Sequence, residues 1–152
     1  MFENKSSLDI IKIYFQLFSI IMFIYNYVNR VTHEVICDLT DDWCDAVTKY
    51  HNSKLIANMF SYDGNLIGTV SQVEKKGRNI KLYFDYFANL PNIRILYKKY
   101  NISKVTKDVF INTVLVTWYW DGLEKPIMER IIFIFKDKKI FQLHSSMLSE
   151  LN

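Results

Sequence analysis

Proline and glycine are scarce in this 152-residue chain, at 2 and 4 residues. That scarcity excludes a disordered or low-complexity protein. Cysteine is equally sparse: Cys37 and Cys44 form no CxxC motif. If both lie on one helix they stand about 10 Å apart along its axis, too far for a disulfide, so two reduced thiols are expected. The three histidines, His33, His51 and His144, are scattered, and no local zinc spacing exists. Asp41, Asp42, Asp45 and Asp63 lack the spacing of a calcium loop. A glycine-rich phosphate loop is missing as well. These absences predict no cofactor, and no spacing supports a metal. Charge of one sign is also lacking. The formal excess is +3, from 19 basic and 16 acidic residues, too small to argue for nucleic acid. Lys98-Lys99 and the run Lys136 to Lys139 read as solvated, the latter as a hairpin tip.

Apolar sequence is plentiful. Hydrophobic residues make up 50% of the chain and aromatics 16%, enough to fill one core. Ile13 to Asn29 carries no charge for 17 residues. A membrane span needs about 20 apolar residues, so this run stands at the short edge, with Gln16, Ser19 and Asn26 inside it. A cleaved secretory signal would want small residues at its end, where Tyr27-Val28-Asn29-Arg30 stands instead. A buried core helix is the third reading. Residues 1–37 are therefore expected to form an N-terminal hydrophobic segment, a signal-anchor or span that attaches or exports the protein. If the segment is a core helix, the protein is cytoplasmic.

Residues 38–152 are expected to form one α+β domain. Thr40 can cap a helix with Asp41 and Asp42 in its first turn, where the macrodipole favours acids. Trp43, Ala46, Val47 and Tyr50 then share one face. Asn52 or Ser53 caps a second helix, with Leu55, Ile56 and Met59 turned inward. Asp63-Gly64-Asn65 reads as a turn before a strand from Leu66 to Val70. Asn79 can cap a third helix bearing Ile80, Tyr83, Phe84 and Phe87, ended by Leu90-Pro91-Asn92. Beyond Ile93, β-branched and aromatic residues dominate, with turns expected near Asn101, Lys107-Asp108, Asp121-Gly122 and Asp137. Helices first and an antiparallel sheet afterwards predict a curved, cone-like sheet packed on about three helices, with a pocket inside.

Three clusters can carry chemistry. Thr69 and Ser71 share a strand face by period two. Tyr83 can aim a phenol into the pocket from its helix. His144, Ser145 and Ser146 bring an imidazole and two hydroxyls to the end of the last strand, able to orient water or a small oxyanion. Strand alternation lets His144 and Ser146 face the pocket together, which disfavours an adjacent Ser/His nucleophile pair. Trp118 and Trp120 share a side and can line the pocket or pack the core.

Trp43-xx-Ala46, Leu66-xx-Thr69-x-Ser71, Tyr83-Phe84-xx-Phe87 and His144-Ser145-Ser146-Met147, in that order, resemble the iota class of carbonic anhydrases. Those are cone domains of the SnoaL-like, nuclear-transport-factor-like superfamily, which includes the association domain of calcium/calmodulin-dependent protein kinase two. The resemblance covers about Asp38 to Glu150. Two histidines of the class signature are Gln142 and Leu143 here, and its proline is Ser149. The resemblance implies carbon dioxide hydration, with Thr69, Tyr83 and Ser145 or Ser146 holding bicarbonate and water. His144 would carry the proton. It equally implies the alternative, a non-catalytic small-ligand-binding or homo-oligomerising module that assembles through the sheet.

Overall fold

The computed structural model describes residues 7–28 and 30–148. The chain separates into two compact units, Met1–Arg30 and Val31–Asn152.

The first unit contains one helix, α1 (Ser7–Val28). Lys12, Gln16 and Ser19 interrupt its apolar sequence. Among the described residues no helix is long and apolar enough to cross a membrane, so the expected span is not met.

The second unit opens with α2 (His33–Thr48). Its cap is Thr32, whose hydroxyl accepts the Val35 amide at 3.3 Å. Thr40, expected to cap this helix, lies inside it instead, buried, with its hydroxyl donating to the Ile36 carbonyl at 2.8 Å. Helix α3 (Ser53–Asn58) is capped by the Asn52 side chain, which accepts from the Leu55 amide at 2.9 Å. Ile56 points inward as expected, whereas Leu55 is exposed. Helix α4 (Arg78–Phe87) starts after Gly77, with no side-chain cap from Asn79. Ile80, Phe84 and Phe87 are its buried face.

Six strands form one sheet: β1 (Phe60–Ile67), β2 (Lys75–Lys76), β3 (Arg94–Lys104), β4 (Val109–Tyr119), β5 (Ile127–Lys136) and β6 (Lys139–Met147). Their spatial order is β2-β1-β6-β5-β4-β3. All pairs are antiparallel except β1 with β6. Two expected turns are absent. Asn101 lies inside β3, paired with Thr113, and Asp63-Gly64-Asn65 lies inside β1, where the pairing with β6 is irregular. The predicted strand from Leu66 to Val70 ends at Ile67, so Thr69 and Ser71 sit in the loop to β2. The tip between β5 and β6 turns on Asp137 and Lys138, both at positive φ.

The sheet has two unlike faces. Phe110, Val114, Val116 and Trp118 of β4 alternate inward and pack with Ile131, Phe133 and Phe135 of β5. Helices α2 and α4 cover that face with Trp43, Val47, Phe84 and Phe87. Trp43 sits at the centre, edge-on to Phe84, Trp118 and Phe133, with centroids 5.9, 6.3 and 5.2 Å away. This is the expected α+β architecture, a curved open sheet with its helices on one side. Both cysteines are free thiols, Cys44 buried and Cys37 partly exposed.

Candidate functional site

The inward face holds one carboxyl group. Glu129 continues the inward row of Ile131, Phe133 and Phe135 by period two. It is 6% exposed. Burial of a charge in such surroundings is costly unless it is hydrogen-bonded. Three donors serve it. The Trp118 indole Nε1 donates to Oε2 at 2.8 Å, Thr69 Oγ1 donates to Oε1, and the Ser145 hydroxyl also bonds the carboxyl. Desolvation outweighs these bonds and holds the Glu129 pKa above its ordinary value of 4.5.

Thr69 is fixed from a second direction. Its amide donates to Ser145 Oγ at 2.9 Å, and the two hydroxyls lie 2.9 Å apart. The loop after β1 is thus tied to the end of β6. Tyr83 comes from α4. Its ring stacks on Phe87 with centroids 6.1 Å apart, and Lys75 Nζ lies 5.3 Å from its centroid. Burial raises the Tyr83 phenol to about 12, with the nearby Glu129 charge adding to the shift and a hydrogen bond to the Val70 backbone opposing it. Gly68 makes room for this ring. A Cβ there would lie 2.4 Å from Tyr83 ring and hydroxyl atoms.

Tyr83, Glu129 and Ser145 line a small cavity with Trp43, Leu66 and Phe87. Its free volume is about 10 Å³, at the lower edge of what one water needs. The Trp43 indole Nε1 is buried with no partner. A water-sized space lined by Glu129, Ser145 and Tyr83 matches one bound water or one hydroxyl-sized group.

The structure therefore brings together Thr69, Tyr83 and Ser145 from three separated segments. It does not bring the other expected residues to them. His144 and Ser146 alternate with the buried Leu143 and Ser145, so they occupy the opposite face. There His144 pairs with Ile132 and Ser146 with Arg130. This corrects the expectation that His144 and Ser146 share the pocket. Ser71 is off the strand, and its backbone carbonyl accepts from Lys75 Nζ at 3.3 Å. Trp118 and Trp120 do share a side, both against Phe87, with centroids 5.4 and 6.4 Å away. Sequence reasoning missed Glu129, Trp43 as a site residue, and Gly68. The signal for Glu129 was present: one acid in phase with Ile131, Phe133 and Phe135. Among the described residues no group of histidine, cysteine or carboxylate side chains could hold a metal ion.

No sequence model of a protein family matches this chain, and no curated protein does. Solved structures do match. A protein from Xanthomonas campestris, provisionally described as a calcium/calmodulin-dependent protein kinase II association domain, is 25% identical with a TM-score of 0.63. That match covers 76% of this chain and 87% of the other. An NTF2-like protein of unknown function from Pseudomonas putida KT2440 is 12% identical, with a TM-score of 0.64 over 77% of this chain and 87% of its own. A protein from Rhodopseudomonas palustris, provisionally described as an isomerase, is 13% identical, with a TM-score of 0.56 over 77% and 91%. The fold is the NTF2-like cone.

Proposed function

We propose that residues 31–152 form a non-catalytic association module, which assembles copies of this chain through the outward face of the sheet. The observation that carries this reading is the composition of that face. Ile111, Leu115, Ile132 and Ile134 lie outward on the central strands β4 and β5, only partly buried. Tyr97 and Met128 pair with Thr117 beside them, 53% and 49% exposed. An outward face that sets Ile111, Leu115, Ile132 and Ile134 among Thr113, Thr117 and Arg130, less buried than the inward face among the described residues, is the kind of surface that interfaces use. Arg130, opposite Leu115, supplies a cation suited to the same role. The description of the Xanthomonas neighbour as an association domain agrees with this reading.

The inner face supports it by contrast. Carbon dioxide has three heavy atoms, whereas the cavity has room for about one water. Trp43 and Trp118 fill the remaining space, and the imidazole suited to proton transfer, His144, is on the other side of the sheet. Carbon dioxide hydration thus has less support here than association. Sedimentation velocity on the full chain tests the proposal. The wild type is expected to run as an oligomer at tens of micromolar, and Ile132→Lys as a smaller species with an unchanged circular dichroism spectrum. A wild type and an Ile132→Lys variant of equal mass would remove the sheet face as the interface.

A further inference from the structure

Strands β3 to β6 together contain one carboxylate, Glu129, and it is buried on the inward face. Their outward face therefore carries cations and no acid. Lys99, Leu115, Arg130 and Ser146 form one row across it, each paired with the next. Asn101 and Thr113 stand opposite each other in the adjoining row. Lys99, Asn101, Thr113, Leu115 and Arg130 line an open cleft with a free volume of about 420 Å³. Lys98 is turned the other way and is paired with Asp41 of α2. Among the described residues the side chains of Lys99 and Arg130 have neither an ion pair nor a hydrogen bond.

Two unpaired cations beside a hydroxyl and an amide form a donor set for an oxyanion. One strand separates Lys99 from Arg130, so their backbones stand about 10 Å apart. Both side chains are long enough to converge over Leu115. Association of copies sharpens the requirement. Copies that meet through this face bring one acid-free surface against another, whatever the rotation between them. Lys99 and Arg130 then enter the interface with no carboxylate to offset them, and like charges oppose association. A phosphate or carboxylate group held by these side chains offsets that charge. By mass action it favours the assembled state.

We propose that Lys99 and Arg130 bind an oxyanion, a phosphate or a carboxylate, and that association through the outward face takes up this anion; the inference rests on the association reading. The test is sedimentation velocity of the full chain in chloride, in inorganic phosphate and in succinate. Ionic strength is matched, so that general screening is equal in all three. The dissociation constant of the wild-type oligomer is expected to fall at least about tenfold, relative to chloride, in phosphate, in succinate or in both. Which of the two acts separates a phosphoryl from a carboxylate ligand. Lys99→Gln/Arg130→Gln is expected to associate equally in all three buffers, within about twofold, with an unchanged circular dichroism spectrum. Lys107→Gln, in the β3–β4 loop, is expected to keep the wild-type response. A double variant that still responds would overturn these two residues as the site. A wild-type oligomer equally tight in every buffer would overturn the anion and leave association intact. A wild type that stays monomeric in every buffer would overturn the association reading, and this inference with it.

Discussion

The two faces of strands β4 to β6 are made from the same stretches of sequence and have opposite characters. Inward stand Trp118, Phe133 and Phe135, each at most 1% exposed, around one hydrogen-bonded carboxyl. Outward stand Leu115, Ile132 and Ile134, which nothing among the described residues covers as completely. The difference is not the presence of large apolar side chains, which both rows carry. It is one of polar placement. The inner face admits Glu129, Thr69 and Ser145 only because each hydrogen-bonds another. The outer face lets His144, Arg130 and Ser146 stand beside isoleucines because water serves them. Equal patterning thus yields a closed core on one side and an adhesive surface on the other.

The largest expected effect comes from Trp118→Ala. It removes the edge contacts with Trp43 and Phe87 and the indole donor to Glu129. Urea denaturation should show a loss of about 3–5 kcal/mol, the usual range for truncating a buried aromatic. A loss below about 1 kcal/mol would mean that the inner face is no better packed than the outer. Gly68→Ala comes next. Its new Cβ would collide with the Tyr83 ring, which is itself stacked on Phe87 and cannot yield freely. Overpacking of this kind costs about 1–3 kcal/mol, measurable in the same titration.

Glu129→Gln sharpens the comparison through pH. The folded state holds the Glu129 proton more tightly than the unfolded chain does, because burial raises its pKa above 4.5. Stability from that proton is present in full below the unfolded pKa and is lost as pH rises through the folded one. The variant has no such proton to lose. Its melting temperature should therefore gain on the wild type as pH rises from about 4.5 towards neutrality, in thermal scans at matched pH. A constant difference across that range would show that Glu129 does not titrate out of its ordinary place. The smallest effect is expected from His144→Ala. On the outward face it should change stability by no more than about 0.5 kcal/mol. A change as large as that of Gly68→Ala would make His144 part of the inner site after all.

Much of this architecture was legible. The β-branched and aromatic stretch beyond Ile93 pointed to strands from Val109 to Trp120 and from Met128 to Phe135, and they form over Val109–Tyr119 and Ile127–Lys136. Asn52 was read as a cap and acts as one. Thr40 misled because Thr-Asp-Asp is a strong start signal wherever it occurs. A second start signal at Thr32 lengthened the helix, and burial turned Thr40 into a residue bonding its own preceding turn. Asn101 misled for a similar reason. Its turn preference is weak against the pairing of an eleven-residue strand with β4.

The sequence by itself determined that the chain has one apolar helix, three shorter helices and a sheet, because those depend on local period, caps and turns. It also determined that Thr69, Tyr83 and the His-Ser-Ser end are the polar points of an apolar domain. Which of them meet was a tertiary decision. Ile140 faces inward, and regular alternation from it would have turned Gln142 and His144 inward too. Instead the β5–β6 register shifts next to Ile140, so that Ile140 and Leu143, three residues apart, both face the core. One extra residue in a strand reverses every side chain beyond it. That shift sends His144 and Ser146 outward and brings Ser145 to Thr69 and Glu129, and only the partner strand could specify it.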